Sequence, residues 1–302
     1  MTRGPAGVLN PVPPRKTRAA AISIASNATL IVLKLVAGAI TGSIAVITEA
    51  IHSGIDLMAS MVAYFSVRKA DEPPDESHPY GHEKVENVAA GIEGLLIIVG
   101  AGIIIFEAVR RLVDQAEVEK LGFGIAVIGF SVVANTVVST YLYRQARLTD
   151  SPALEGDAAH LRTDAFTSAG VLVALVLVET TGIQELDAIT ALVVAVAIVW
   201  AGVQILSRSS RVLVDEALPE EELAAVRAAI ADFGSDEVVG FHKLRARRAG
   251  SRRYVDLHVQ FRTGTTLERA HELAHELQRE IRARVRGADV LIHLEPEASR
   301  RD

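Results

Sequence analysis

His52-Ser53-Gly54-Ile55-Asp56 sits inside an apolar run from Ile44 to Val67, and its spacing recurs at His160-Leu161-Arg162-Thr163-Asp164, which leads into an apolar run ending near Val178. Residues at i and i+4 share one helix face, so each stretch offers an imidazole and a carboxylate to one point. Ionisable groups at membrane depth are costly and by default mark functional sites. Two such pairs facing each other supply four ligands, a closed tetrahedral shell for a divalent metal. A lone His or Asp in a span can instead bond a neighbouring helix. Two copies of one pattern in separate spans make that reading hard to sustain.

Composition agrees with a chain of two unlike parts. Half of the 302 residues are hydrophobic and 23% are charged; with mean hydropathy positive at +0.29, this implies a long, nearly charge-free part and a charged, soluble part. The net charge of −6 speaks against nucleic acid as a partner. The absence of cysteine excludes disulfides and thiolate-based copper, iron–sulfur and zinc chemistry. Residues 1–17 are polar, Pro-rich and basic, and read as a tail rather than a cleavable signal.

A membrane span needs about 20 apolar residues. Six stretches qualify: Ala19–Ile40, Ile44–Val67, Val88–Leu112, Leu121–Tyr143, Ala165–Thr181 and Ala188–Leu206. The fifth is short unless His160 and Asp164 join its first turns. Thr41-Gly42-Ser43 makes a tight hairpin of the first two. Arg15, Lys16 and Arg18 precede the first span, Arg68, Lys69 and Lys84 lie between the second and third, Arg144 and Arg147 follow the fourth, and Arg208 and Arg211 follow the sixth. The positive-inside bias then places both termini in the cytoplasm. The resulting domains are a tail (1–17), a six-helix membrane domain (18–210), a cytoplasmic domain (211–297) and a short tail (298–302).

In the soluble part, Pro219-Glu220-Glu221-Glu222 starts a helix, with Pro in the first turn and acids near the positive end of the dipole. Val238–Arg247 and Arg253–Arg262 read as strands; in the second, Val255, Leu257, Val259 and Phe261 alternate with polar residues. A helix from Leu267 to about Val285 and a strand from Asp289 to Glu295 complete an α-β-β-α-β order. This is a small α+β domain with helices on one face of a sheet.

Seven of the nine histidines fall outside the spans. Asp75, His78 and His82 lie in the loop after the second span, where one Asp and two His can hold zinc with an open position; a solvated polar loop would carry the same residues. His242, His258, His293 and Glu295 occupy strands, with His293 and Glu295 on one face because they are two apart. His271-Glu272-Leu273-Ala274-His275 matches the His-Glu-x-x-His pattern of zinc proteases. It has no evident third ligand and sits in a domain too small for a protease cleft. A membrane metalloprotease and a pure metal sensor are therefore the rival classes, and neither needs four ionisable ligands in the spans.

Further short motifs are His78-Pro-Tyr-Gly-His82-Glu-Lys84, Asp215-Glu-Ala-Leu-Pro219 and His242-Lys-Leu-Arg-Ala-Arg. With the two His-x-x-x-Asp pairs and the six-span layout, they make the chain resemble the cation diffusion facilitator family of divalent-metal/proton antiporters from about Arg18 to Pro296. The resemblance implies a transporter rather than an enzyme, with no catalytic cofactor. It implies a homodimer whose cytoplasmic domain has a metallochaperone-like, ferredoxin-like fold. It assigns His52, Asp56, His160 and Asp164 to a transport site, and Asp75, His78 and His82 to a loop site. His242, His258, His271, His293 and Glu295 go to cytoplasmic regulatory sites. It further implies an ion pair between Lys84 and Asp215 that joins the two domains. Glu295 is a departure, since members often carry Asp there.

Two imidazoles and two carboxylates suit Zn²⁺, whereas magnesium and calcium take more oxygen ligands and Cu(I) prefers sulfur. Cobalt, iron, nickel and cadmium pass the same test, and manganese fits least. Zn²⁺ with two ionised carboxylates and two neutral imidazoles is an uncharged assembly. Its departure would strand two charges in a poorly solvated cavity, so protons replace the metal and are displaced when it returns. The expectation is export of Zn²⁺ from the cytoplasm in exchange for protons across the cell membrane, with Zn²⁺ also the regulatory ligand.

Overall fold

Long apolar stretches in a bilayer satisfy their backbone groups internally and so become helices. The computed structural model describes residues 15–41, 44–114, 124–183 and 185–297. The end tails, the hairpin turn at 42–43, and 115–123 with Leu121 at the expected start of the fourth span lie outside the described residues, as do the side chains of 44–52, including His52 and Glu49. The chain divides into two compact units, Met1–Ser210 and Arg211–Asp302.

The first unit is helical: α1 (Arg15–Thr41), α2 (Ile44–Ala70), α3 (Lys84–Asp114), α4 (Gly124–Thr149), α5 (Pro152–Thr181) and α6, which starts at Glu185 and runs on to Leu213. Within the described residues, four carry an apolar stretch long enough to cross a membrane: Arg15–Ala37, Lys84–Arg110, Pro152–Val178 and Glu185–Leu213. α2 and α4 match them in length at 27 and 26 residues. Large apolar side chains such as Leu35, Phe65, Phe106, Val133, Phe166 and Trp200 are exposed on the outside of the helices.

The fifth helix starts at Pro152, not at Ala165 where the apolar run begins. The reason is local: the Ser151 hydroxyl accepts from the Leu154 N–H, Pro152 occupies the first turn, and Glu155 lies near the positive dipole end. Gly182 closes the helix in a left-handed conformation at φ 74°, its N–H bonded to the Val178 carbonyl. Asp157, His160 and Asp164 are thereby all inside one helix.

Two features hold this unit together. Lys16 Nζ donates to Glu86 Oε1 at 2.8 Å with both side chains buried, and the Ser151 hydroxyl donates to the other Glu86 oxygen. The starts of α1, α3 and α5 meet in that cluster. α3 and α6 approach through small residues: a Cβ on Gly202 would lie 2.7 Å from Ile98 Cγ1 and 3.0 Å from the Gly94 carbonyl oxygen. Such close approach is how helices gain packing contacts in lipid, where burial from water does not drive association.

In the second unit, α7 (Glu220–Ala231), β1 (Val238–Ala249), β2 (Arg252–Phe261), α8 (Leu267–Arg284) and β3 (Ala288–Pro296) follow the expected α-β-β-α-β order. The sheet order is β1-β2-β3, with β1 antiparallel and β3 parallel to β2. Val255, Leu257, Val259 and Phe261 of β2 pack with Val226 and Ile230 of α7 and Leu273, Leu277 and Ile281 of α8. Thr266 caps α8 by accepting from the Arg269 N–H at 3.2 Å.

Gly202→Ala should lower the melting temperature of the detergent-solubilised protein, by about 1–3 kcal/mol of overpacking. Gly100→Ala, where an added Cβ meets nothing within 4 Å, should leave it unchanged or higher; equal melting of the two variants would contradict the close α3–α6 contact.

Candidate metal centres

Three groups of carboxylates and imidazoles converge among the described residues, each with one ligand atom per residue within 4.8 Å of the others. The first lies among the helices and joins Asp56 of α2 to His160 and Asp164 of α5. His160 Nε2 is 3.3 Å from Asp56 Oδ1 and 4.0 Å from Asp164 Oδ2. Asp56 and His160 are each only 6% exposed, which takes them out of reach of bulk solvent. The side chain of His52, the fourth member expected from sequence, lies outside the described residues.

The convergence follows from helix periodicity. Asp157, His160 and Asp164 are spaced i, i+3 and i+7 on α5 and share one face. On α2, Ser53, Asp56 and Ser60 do the same. Ser60 Oγ donates to Asp157 Oδ1 at 2.8 Å and receives the Asn27 amide at 2.8 Å; the Ser23 hydroxyl lies 2.9 Å from it. Lys34 Nζ donates to Ser53 Oγ at 2.7 Å. Polar groups of α1, α2 and α5 thus form one buried network around the three ligands. The sequence reading missed Asp157, although its place three residues before His160 was visible. Asn27 and Glu93, which from sequence alone read as polar groups making helix contacts, both lie at this network, with Glu93 Oε2 3.7 Å from His160 Nδ1.

The second group is Asp75, His78 and His82, in the loop between α2 and α3. Asp75 Oδ1 accepts from the Ser77 hydroxyl and N–H, both at 2.9 Å, and from the His78 N–H at 2.6 Å. The Ser77 hydroxyl, followed by the His78 N–H, holds the Asp75 carboxyl down at about 2. Asp75 Oδ2 is 3.3 Å from His82 Nε2, and the two imidazole rings have centroids 4.4 Å apart. His82 is buried whereas His78 and Asp75 are exposed, so the group opens to one side.

The third group spans the sheet. His242, His258 and His293 lie in one row across β1, β2 and β3, as direct register partners. Glu295, two residues along β3, returns to the same face. Its Oε2 is 2.7 Å from His242 Nε2 and its Oε1 2.6 Å from His258 Nδ1. His293 Nε2 stands further off, 3.9 Å from Glu295 Oε1, so the close group is His242, His258 and Glu295. A register shift after His242, with Lys243 at φ 50°, marks a bulge in β1 at this point.

His271, expected with these residues, is placed on α8 and is not among the three close ones. Its Nε2 is 3.0 Å from His275 Nε2, and both rings are exposed. Glu272 is likewise exposed and its carboxylate receives Arg269 Nη1 at 3.3 Å. An exposed helix face with its acid engaged by Arg269 is a poor protease centre. Asp215 accepts from Arg247 Nη1 at 3.0 Å within its own unit.

Helices with apolar outer faces enclose one ligand cluster and an α+β unit carries another, the parts of a membrane protein with cation-binding groups in both units. Residues 20–214 match the model of the cation efflux transmembrane domain, and residues 218–297 match that of the cation efflux protein cytoplasmic domain. The chain belongs to the cation efflux family, the cation diffusion facilitators. It is 35% identical over 277 residues to the uncharacterized transporter sll1263 of Synechocystis sp., covering 92% of this chain and 89% of that protein. It is 30% identical over 289 residues to the cation-efflux pump FieF of Yersinia pestis, covering 95% of each. Among solved structures, the Zn form of CzrB is 36% identical, covers 29% of this chain and 99% of its own, and has a TM-score of 0.28.

The depressed Asp75 carboxyl makes a pH prediction. A carboxylate lowered in the folded state favours the fold above its ordinary value near 3.9, and that contribution disappears as pH falls through about 2. Asp75 should therefore stay ionised from pH 5 to 8. Ser77→Ala should raise its titration midpoint toward the ordinary value, read by carboxyl-carbon NMR; an unmoved midpoint would remove the Ser77 hydroxyl as its cause.

Proposed function

We propose that this chain is a homodimeric, multi-pass antiporter of the cell membrane, with both termini cytoplasmic, that exports Zn²⁺ in exchange for protons. The observation that carries the reading is the buried approach of Asp56, His160 and Asp164, from two helices, within 4.8 Å. Imidazole and carboxylate together suit Zn²⁺ at four-coordination, with His52 completing the shell. Cobalt, iron, cadmium and manganese are the alternative cargoes, and the same ligands would carry them less well or equally.

The coupling follows from charge. Divalent metal neutralises Asp56 and Asp164; once it leaves, the low-dielectric cluster cannot keep both carboxylates ionised without large cost. Protons take its place, and the returning metal displaces them because ligands bind deprotonated. Membership in the cation efflux family supports the direction, and an inward proton gradient supplies the drive.

In proteoliposomes, Zn²⁺ uptake should require an imposed pH gradient and should fall at least 100-fold in Asp164→Ala. Flux indifferent to the gradient would refute the coupling, and flux surviving Asp164→Ala would refute the site. The cytoplasmic cluster is read as a regulatory zinc site, with Glu295 bridging two strands. Zinc at 100 times its dissociation constant should stabilise that domain by about 2.7 kcal/mol. Differential scanning calorimetry of the full chain should show this shift, and Glu295→Ala should remove it.

A further inference from the structure

Glu93 is fully buried on α3, and neither carboxylate oxygen has a hydrogen-bond partner among the described residues. A carboxylate kept in a helical bundle without a partner is expensive. Its place is not accidental. Gly156 of α5 lets the Glu93 side chain lie against the α5 backbone: a Cβ at Gly156 would be 3.1 Å from Glu93 Cβ and Cγ and 3.2 Å from Ala90 Cα. Gly156 is one helical turn before His160 on the same face. Passing over it, the Glu93 carboxylate ends with Oε2 3.7 Å from His160 Nδ1. The other ring nitrogen, Nε2, faces Asp56 and Asp164. Glu93 is not one of the three residues whose ligand atoms cluster.

We propose that Glu93 is a positioning residue for the transport site: His160 Nδ1 likewise has no hydrogen-bond partner among the described residues, and closure of the 3.7 Å gap on metal binding lets the Glu93 carboxylate receive its N–H, turning the ring so that Nε2 presents its lone pair to the cargo cation. Metal-bound imidazoles commonly give their second N–H to a carboxylate, which fixes both tautomer and ring plane. Here that partner comes from a third helix, α3. The selectivity and affinity of a site built on α2 and α5 therefore depend on how α3 packs against α5. The proposal rests on the transport reading above, and it requires reach and an acceptor oxygen, not a charge.

The test compares Glu93→Gln, Glu93→Asp and Glu93→Ala in proteoliposomes, with Asp164→Ala alongside. Gln keeps an oxygen at the same reach, so its zinc KM should stay within about threefold of wild type. Asp keeps the charge but withdraws it by one methylene. Asp and Ala should raise KM about 10- to 100-fold, the range found for outer ligand partners, with kcat less affected and with an altered Zn²⁺/Cd²⁺ preference. Glu93→Asp transporting normally while Glu93→Gln fails would overturn the proposal, because charge would then be the requirement. So would a loss of kcat at unchanged KM, or an unaffected Glu93→Ala. If Asp164→Ala itself transports, the transport reading fails; if it is silent while Glu93→Ala is normal, only the positioning role fails.

Discussion

Much of the first unit follows from one constraint: acidic groups are held inside a helical bundle whose outer surface is apolar. Asp56, Asp164 and Glu93 approach one imidazole, and Asp157 is buried one turn before it on the same helix face. Each must be met by a donor or a cation, because unmatched buried charge costs several kcal/mol per ion. Ser60 answers part of that demand by donating to Asp157, and is itself backed by Asn27 and Ser23. The small residues at Gly94, Gly156 and Gly202 follow from the same constraint, since only close helix packing excludes water and brings side chains of separate helices into reach.

The cytoplasmic unit arrives at the same ligand chemistry by a different geometry. In the membrane unit, the helical period of 3.6 stacks ligands along α5. In the sheet, the ligands form a row perpendicular to the chain, with His242, His258 and His293 in register and Glu295 one pleat further on. A single carboxylate then bridges two strands, with one oxygen for each imidazole. Glutamate is long enough to span β3 to β1 across the intervening strand.

Elements set by short-range signals were legible in the sequence. The α-β-β-α-β order and the shared face of His160 and Asp164 came from periodicity, and both depend on neighbours a few residues apart. The start of α5 was misjudged because hydrophobicity was weighed above the Ser151-Pro152 cap, a signal present in the chain. Glu93 is a different case. Its partner His160 lies on another helix, and no spacing within α3 points to it; only the packing allowed by Gly156 brings the two together. His271, assigned to the cytoplasmic sites by resemblance, lies on α8, whereas sheet register, which decides who stands beside whom on the strands, brings together His242, His258 and Glu295.

The Lys16–Glu86–Ser151 cluster has a mechanical meaning. It ties the first turns of α1 and α3 to the cap of α5 through a buried ion pair. Parting these helices there would leave two buried charges unpaired. The clasp therefore sets a cost on any motion that draws the starts of α1, α3 and α5 apart.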